Sequence, residues 1–120
     1  MINAEFLASC SEEQINKGVA WCQVAFSVDK AMASENVELY RYGMNYDMSV
    51  PRHYCTNAND IMPIAFANNF LIEPPNFFTN KWSATKYYIV ENIGERSVKA
   101  TNTNPMRAIC EVYILMSVNK

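Results

Sequence analysis

Polar and apolar positions repeat along this chain with two different periods. Ile15, Val19, Cys22 and Phe26 recur at spacings of four, three and four, which places them on one stripe of a helix from about Glu12 to about Phe26. Ser11-Glu12-Glu13-Gln14 has the form of a capping box at its start. Val37 to Tyr42 switches to strict alternation, the period of a strand, and Gly43 to Pro51 reads as loop. Helical spacing returns with Ala58, Ile61, Ile64 and Ala65. Asn57 is the expected N-cap and Asp60 lies in the first turn, where the helix dipole favours an acid. Pro63 deletes one backbone hydrogen bond inside this helix, which should end near Asn68-Asn69.

The C-terminal half reads as strands and a closing helix. Phe70 to Glu73 is a short strand stopped by Pro74-Pro75, and Asn76 to Asn80 is a loop carrying Phe77 and Phe78. Lys81 to Glu91 is rich in aromatic and β-branched residues, and Arg96 to Thr101 returns beside it after a turn at Asn92-Ile93-Gly94-Glu95. Asn104 followed by Pro105 is an N-cap with proline at the first helical position. From Met106 to Met116 only Arg107 and Glu111 interrupt the apolar sequence. A helix apolar nearly all round is a central, buried one. The elements predict an α+β fold: an antiparallel sheet of about four strands packed with about three helices, αβα-sandwich-like, as a single domain over residues 1–120.

Composition adds to this picture only in places. Half of the 120 residues are hydrophobic and 18% are charged, which suits one packed core. The formal net charge of −2 gives no basic excess for neutralising phosphates, so no direct nucleic-acid partner is expected. No apolar run approaches a membrane span and the first residues lack the features of a signal peptide, so a cytoplasmic location is the expectation. Cys10, Cys22, Cys55 and Cys110 form no C-x-x-C pair. Cys22 and Cys110 fall on apolar helix faces, as buried thiols do.

Four segments together resemble one family, the NinX-like phage accessory proteins. The run Gln14-Ile15-Asn16-Lys17-Gly18-Val19-Ala20 is similar to the family's E-I-N-K-x-V-A helix. Tyr54-Cys55-Thr56-Asn57-Ala58-Asn59-Asp60-Ile61-Met62-Pro63-Ile64 resembles its C-N-x-x-x-D-A-x-P-I-I segment. Trp82-Ser83-Ala84 is similar to W-x-A, and Asn104-Pro105-Met106-Arg107-Ala108-Ile109 to N-P-L-R-A-A. The chain departs from the pattern at Phe66-Ala67-Asn68, where the family has V-E-N, and Val28 to Val50 has no counterpart. The resemblance implies phage or prophage origin, a compact α+β fold and no particular activity.

No residue pattern marks a catalytic centre or a cofactor site. The three glycines are isolated, and there is no carboxylate pair, Ser-His-Asp set or dinucleotide fingerprint. His53 and Cys55 could share a strand face, yet two ligands do not make a metal site and no third group orients them as base and nucleophile. The aromatic surplus is more suggestive. Tyr40, Tyr42, Tyr46, Phe77 and Phe78 exceed what one core face needs, and point to a partner surface. The expected partner is a host defence protein, with CRISPR complexes as an example, or a second copy in a homodimer; another reading is a structural phage protein whose aromatic surface closes a homo-oligomer. An alternative reading places a nucleotide or other small anionic ligand at helix N-termini, held by Asn57, Asn104, Arg107 and Arg52.

Overall fold

The capping box forms as its residue types require. Gln14 N–H donates to Ser11 Oγ at 3.1 Å, and Ser11 N–H donates to Gln14 Oε1 at 2.9 Å. The computed structural model describes residues 2–28 and 52–118. In these the element order is α1 (Ala4–Ser9), α2 (Glu12–Val28), α3 (Ala58–Ala67), β1 (Leu71–Glu73), β2 (Trp82–Val90), β3 (Gly94–Asn102) and α4 (Pro105–Val118). The expected strand from Val37 to Tyr42 lies outside the described residues, and so does the loop from Gly43 to Pro51.

The fold is α+β. The three strands form one antiparallel sheet in the order β1-β2-β3. The long hairpin pairs Trp82 with Asn102 and runs without a break to Val90 opposite Gly94. Its turn carries two positive φ angles, Asn92 at 68° and Gly94 at 105°. Ile93 N–H donates to Val90 O at 3.0 Å, so Asn92 takes the third turn position, where a positive φ is needed. Glycine was the expected source of positive φ here, and asparagine shares that role.

Helix α4 is the centre of the molecule. It packs against β2 and β3 on one side, and α1, α2 and α3 all touch it. The small cross-strand pair Ala84 and Ala100, both buried, lets the helix approach the sheet closely. Ile109, Val112, Ile114 and Leu115 are buried, with Ile15, Val19 and Cys22 of α2 and Ile61, Ile64 and Ala65 of α3 in the same core. The three strands expected in the C-terminal half are all present, and the described residues differ from the sequence expectation in other respects. The helices stand on one face of the sheet. Helix α1, capped by Asn3 Oδ1 accepting from Phe6 N–H at 2.8 Å, was not anticipated.

Pro63 is exposed and α3 continues through it. The helix ends in a Schellman motif. Phe70 N–H reaches back to Ala65 O at 3.2 Å and Asn69 N–H to Phe66 O at 3.3 Å, with Asn69 left-handed at φ 55°. Lys86 of β2 adds a cation at this helix C-terminus, its Nζ donating to Asn68 O at 2.7 Å.

Candidate interaction surface

The face of the sheet turned away from α4 carries several exposed side chains. Alternation puts Ser83, Thr85, Tyr87 and Ile89 of β2 on it, opposite Thr101, Lys99, Ser97 and Glu95 of β3. Leu71 and Glu73 extend it onto β1. Ile89 is 84% exposed and Tyr87 51%, with Leu71 also exposed and Ile93 exposed in the adjoining turn. Among these outward positions Thr85 is the buried one.

The loop between β1 and β2 projects at the other end. Asn76 pairs with Thr79 in an isolated bridge, and Asn76 Oδ1 accepts from Phe78 N–H at 2.8 Å and Thr79 N–H at 3.2 Å. This side-chain turn holds the backbone while Phe77 and Phe78 point away from the protein, 97% and 93% exposed. The two rings meet edge to face with centroids 5.8 Å apart and planes at 78°. Beside the loop, Glu73, Asn76, Thr79, Lys81, Ser83 and Lys99 line most of an open cleft of about 160 Å³. Small-molecule pockets run from roughly 300 Å³ upward, so this cleft is small for one.

The anion-site reading fails on Arg107. This residue is buried, and its guanidinium is used within the protein. Nη2 donates to Leu7 O at 3.0 Å and Cys10 O at 2.6 Å, and Nε donates to Glu111 Oε2 at 3.0 Å. Arg107 thus satisfies carbonyls at the C-terminal end of α1. Asn57 is the N-cap of α3, its side chain accepting from Asn59 N–H at 3.0 Å. Asn104 caps α4 by accepting from Met106 N–H at 3.0 Å, and its Nδ2 donates to Cys55 O at 2.7 Å. The two helix starts are therefore neighbours, joined by Asn104 Nδ2 at Cys55 O, and each cap oxygen is spent on the first turn of its own helix. Arg52 is exposed.

His53 and Cys55 do not meet at one open face, for His53 is exposed and Cys55 fully buried. His53 contributes a backbone N–H to Asp60 Oδ2 at 2.9 Å, and Cys55 N–H donates to Asn16 Oδ1 at 3.0 Å. All four cysteines are buried free thiols. Burial pushes the Cys22 thiol up to about 12, against a hydrogen bond with Ser117. Burial also raises Cys110, and the neighbouring Cys55 thiol raises it further. Such thiols are poor nucleophiles.

Of the aromatic residues singled out in the sequence, Phe77 and Phe78 stand on the surface, while Tyr40, Tyr42 and Tyr46 lie outside the described residues. Sequence reasoning missed Ile89 and Leu71 as surface apolar residues. The alternation within β2 carried the signal for Ile89: once Ala84 faces the helix, every odd position of the strand faces away from it. Among the described residues, no helix is long and apolar enough to cross a membrane, and no three histidine, cysteine or acidic side chains are grouped to hold a metal. Comparison with known proteins returns no match: no family model, no curated protein and no solved structure.

Proposed function

We propose that this chain is a phage or prophage accessory protein that acts by binding, without catalysis, and that its partner is a host defence protein such as a component of a CRISPR complex. The observation that carries the binding reading is the Phe77-Phe78 pair, almost fully exposed on a loop whose backbone is fixed by Asn76. Burying two phenylalanines that fold stability does not use is a common way to anchor a protein interface. The phage assignment rests on the four sequence segments that resemble the NinX-like family. The choice of a defence protein follows from that setting, in which small accessory proteins commonly block host systems.

The experiment is affinity capture from host lysate with the tagged chain and with a Phe77→Ala/Phe78→Ala variant. Stoichiometric recovery of a defence protein by the parent chain, lost with the variant, is the expected result. Recovery that is unchanged by the variant removes the Phe77-Phe78 anchor. Turnover of a small molecule by the pure chain would end the non-catalytic reading.

A further inference from the structure

Among the described residues, strand β3 stands at the edge of the sheet: no strand pairs with its far side, and it is nine residues long. Gly94 to Ser97 and Lys99 are exposed. The strand holds no proline, and its register with β2 has no bulge to twist the edge away. Such an edge offers a row of backbone donors and acceptors to another strand. Its protection is a set of charges, Glu95, Arg96 and Lys99. Charges guard an edge against pairing in general, but these have opposite signs and a particular spacing.

We propose that β3 pairs antiparallel with β3 of a second copy of this chain, about a two-fold axis through Ser97, so that the two sheets become one continuous sheet. A two-fold axis perpendicular to the sheet must pass through one residue of the strand, which then faces itself. Centred on Glu95, Arg96 or Lys99, the pairing opposes two like charges, which is destabilising. Centred on Val98, it sets Glu95 opposite Thr101 and Lys99 opposite Ser97, and makes no ion pair. Centred on Ser97, it sets Glu95 opposite Lys99 of the partner subunit, and by symmetry the same pair forms again. Arg96 then faces Val98 of the partner subunit. One register among five thus gives two opposite-charge pairs and no like pair.

The residues around that axis suit it. Ser97 is small where the two strands meet, and Tyr87, its cross-strand neighbour on β2, has a half-exposed ring on the same face. Ile89 lies beside Glu95 on that face and is mostly exposed. The Phe77-Phe78 loop itself joins β1 and β2, whereas the pairing uses the outer edge of β3.

Sedimentation velocity on the full chain, at tens of micromolar and low salt, tests the proposal. The parent chain should sediment as a dimer. Lys99→Glu replaces both ion pairs by facing glutamates and should raise the dimer Kd by about tenfold or more. Glu95→Lys has the same effect through facing lysines. The double variant Glu95→Lys/Lys99→Glu restores opposite charges in the same register and should recover the dimer. Circular dichroism confirms that each variant is folded. A monomeric parent chain overturns the proposal, and so does a dimer that is indifferent to the single reversals or fails to return in the double variant.

Discussion

Asparagine holds positions in this chain that glycine holds in most folds. The chain has only three glycines. The left-handed residue that closes α3 is Asn69, and the one inside the β2–β3 turn is Asn92. Asparagine tolerates that region better than other residues with a side chain, because its amide can bond locally. Asn3, Asn57 and Asn104 cap helices, and Asn76 fixes the aromatic loop. The caps at Asn57 and Asn104 were legible, because caps depend on neighbours in sequence. Arg107 and Glu111 were not. Their i,i+4 spacing shows a pair, but its burial depends on Leu7 and Cys10 at the other end of the chain. Burial raises the Glu111 carboxyl above its ordinary value of 4.5, while Arg107 and Asn102 hold it down in part. A raised value means that the folded state keeps a proton that the unfolded state releases. This group's contribution is therefore most favourable below 4.5 and is lost as pH rises through the raised value. Glu111→Gln keeps an acceptor for Arg107 and removes the titration. Urea unfolding of both chains at neutral pH and at about 4.5 should show the parent gaining on the variant as pH falls. A gap that is constant or narrows contradicts this account. Arg107→Met leaves the buried Glu111 carboxylate without its paired cation and Cys10 O without its guanidinium donor, and should cost about 3–5 kcal/mol.

Among the elements, those with a long period or a strong cap were readable. The helical stripe of α2, the Asn57 cap of α3, the hairpin and the Asn104-Pro105 start of α4 all fall within two residues of their expected bounds. Helix α1 escaped because its six residues are too few to show a period, and its place is set by contact with α4 and by Arg107. The layering escaped as well. A strand pattern says that two faces differ, but not whether helices cover one or both. The junction between α3 and α4 is where local and tertiary order meet, since Asn104 caps one helix and ties the turn before the other. These two roles separate by substitution. Asn104→Ser retains a good N-cap but is too short to reach Cys55 O, and should cost about 1 kcal/mol, the worth of one hydrogen bond. Asn104→Ala loses both and should cost about 1–3 kcal/mol. Chemical denaturation of the three chains reads the difference directly. Equal losses for serine and alanine would mean that the cap contributes nothing.

At the scale of the whole molecule, apolar residues fall into two populations with different consequences. One surrounds α4 and is buried from every side: Ile109 is 1% exposed, and Ile15, Ile61 and Ile114 are inaccessible. The other, Phe77, Phe78 and Ile89 on the sheet's outer face and its loop and Phe66 on α3, keeps most of its surface in water. Stability should follow this division rather than residue size. Ile109→Ala opens a cavity in the core and should cost about 2–5 kcal/mol. Phe77→Ala/Phe78→Ala removes more apolar surface than that, yet gives up only the contact between the two rings. Edge-to-face pairs are worth about 0.5–1.5 kcal/mol beyond area burial, and an exposed pair belongs at or below the lower end. The double variant should therefore unfold within about 0.5 kcal/mol of the parent, as surface substitutions do. It should also be more soluble, because its largest exposed apolar side chains are gone. Thermal and urea unfolding of both variants beside the parent make the comparison. A loss for the phenylalanine pair as large as that for Ile109→Ala would place those rings in the packed structure and would remove the main reason for reading the loop as a binding element. A neutral result together with lost capture of the partner would separate binding from folding at these two residues.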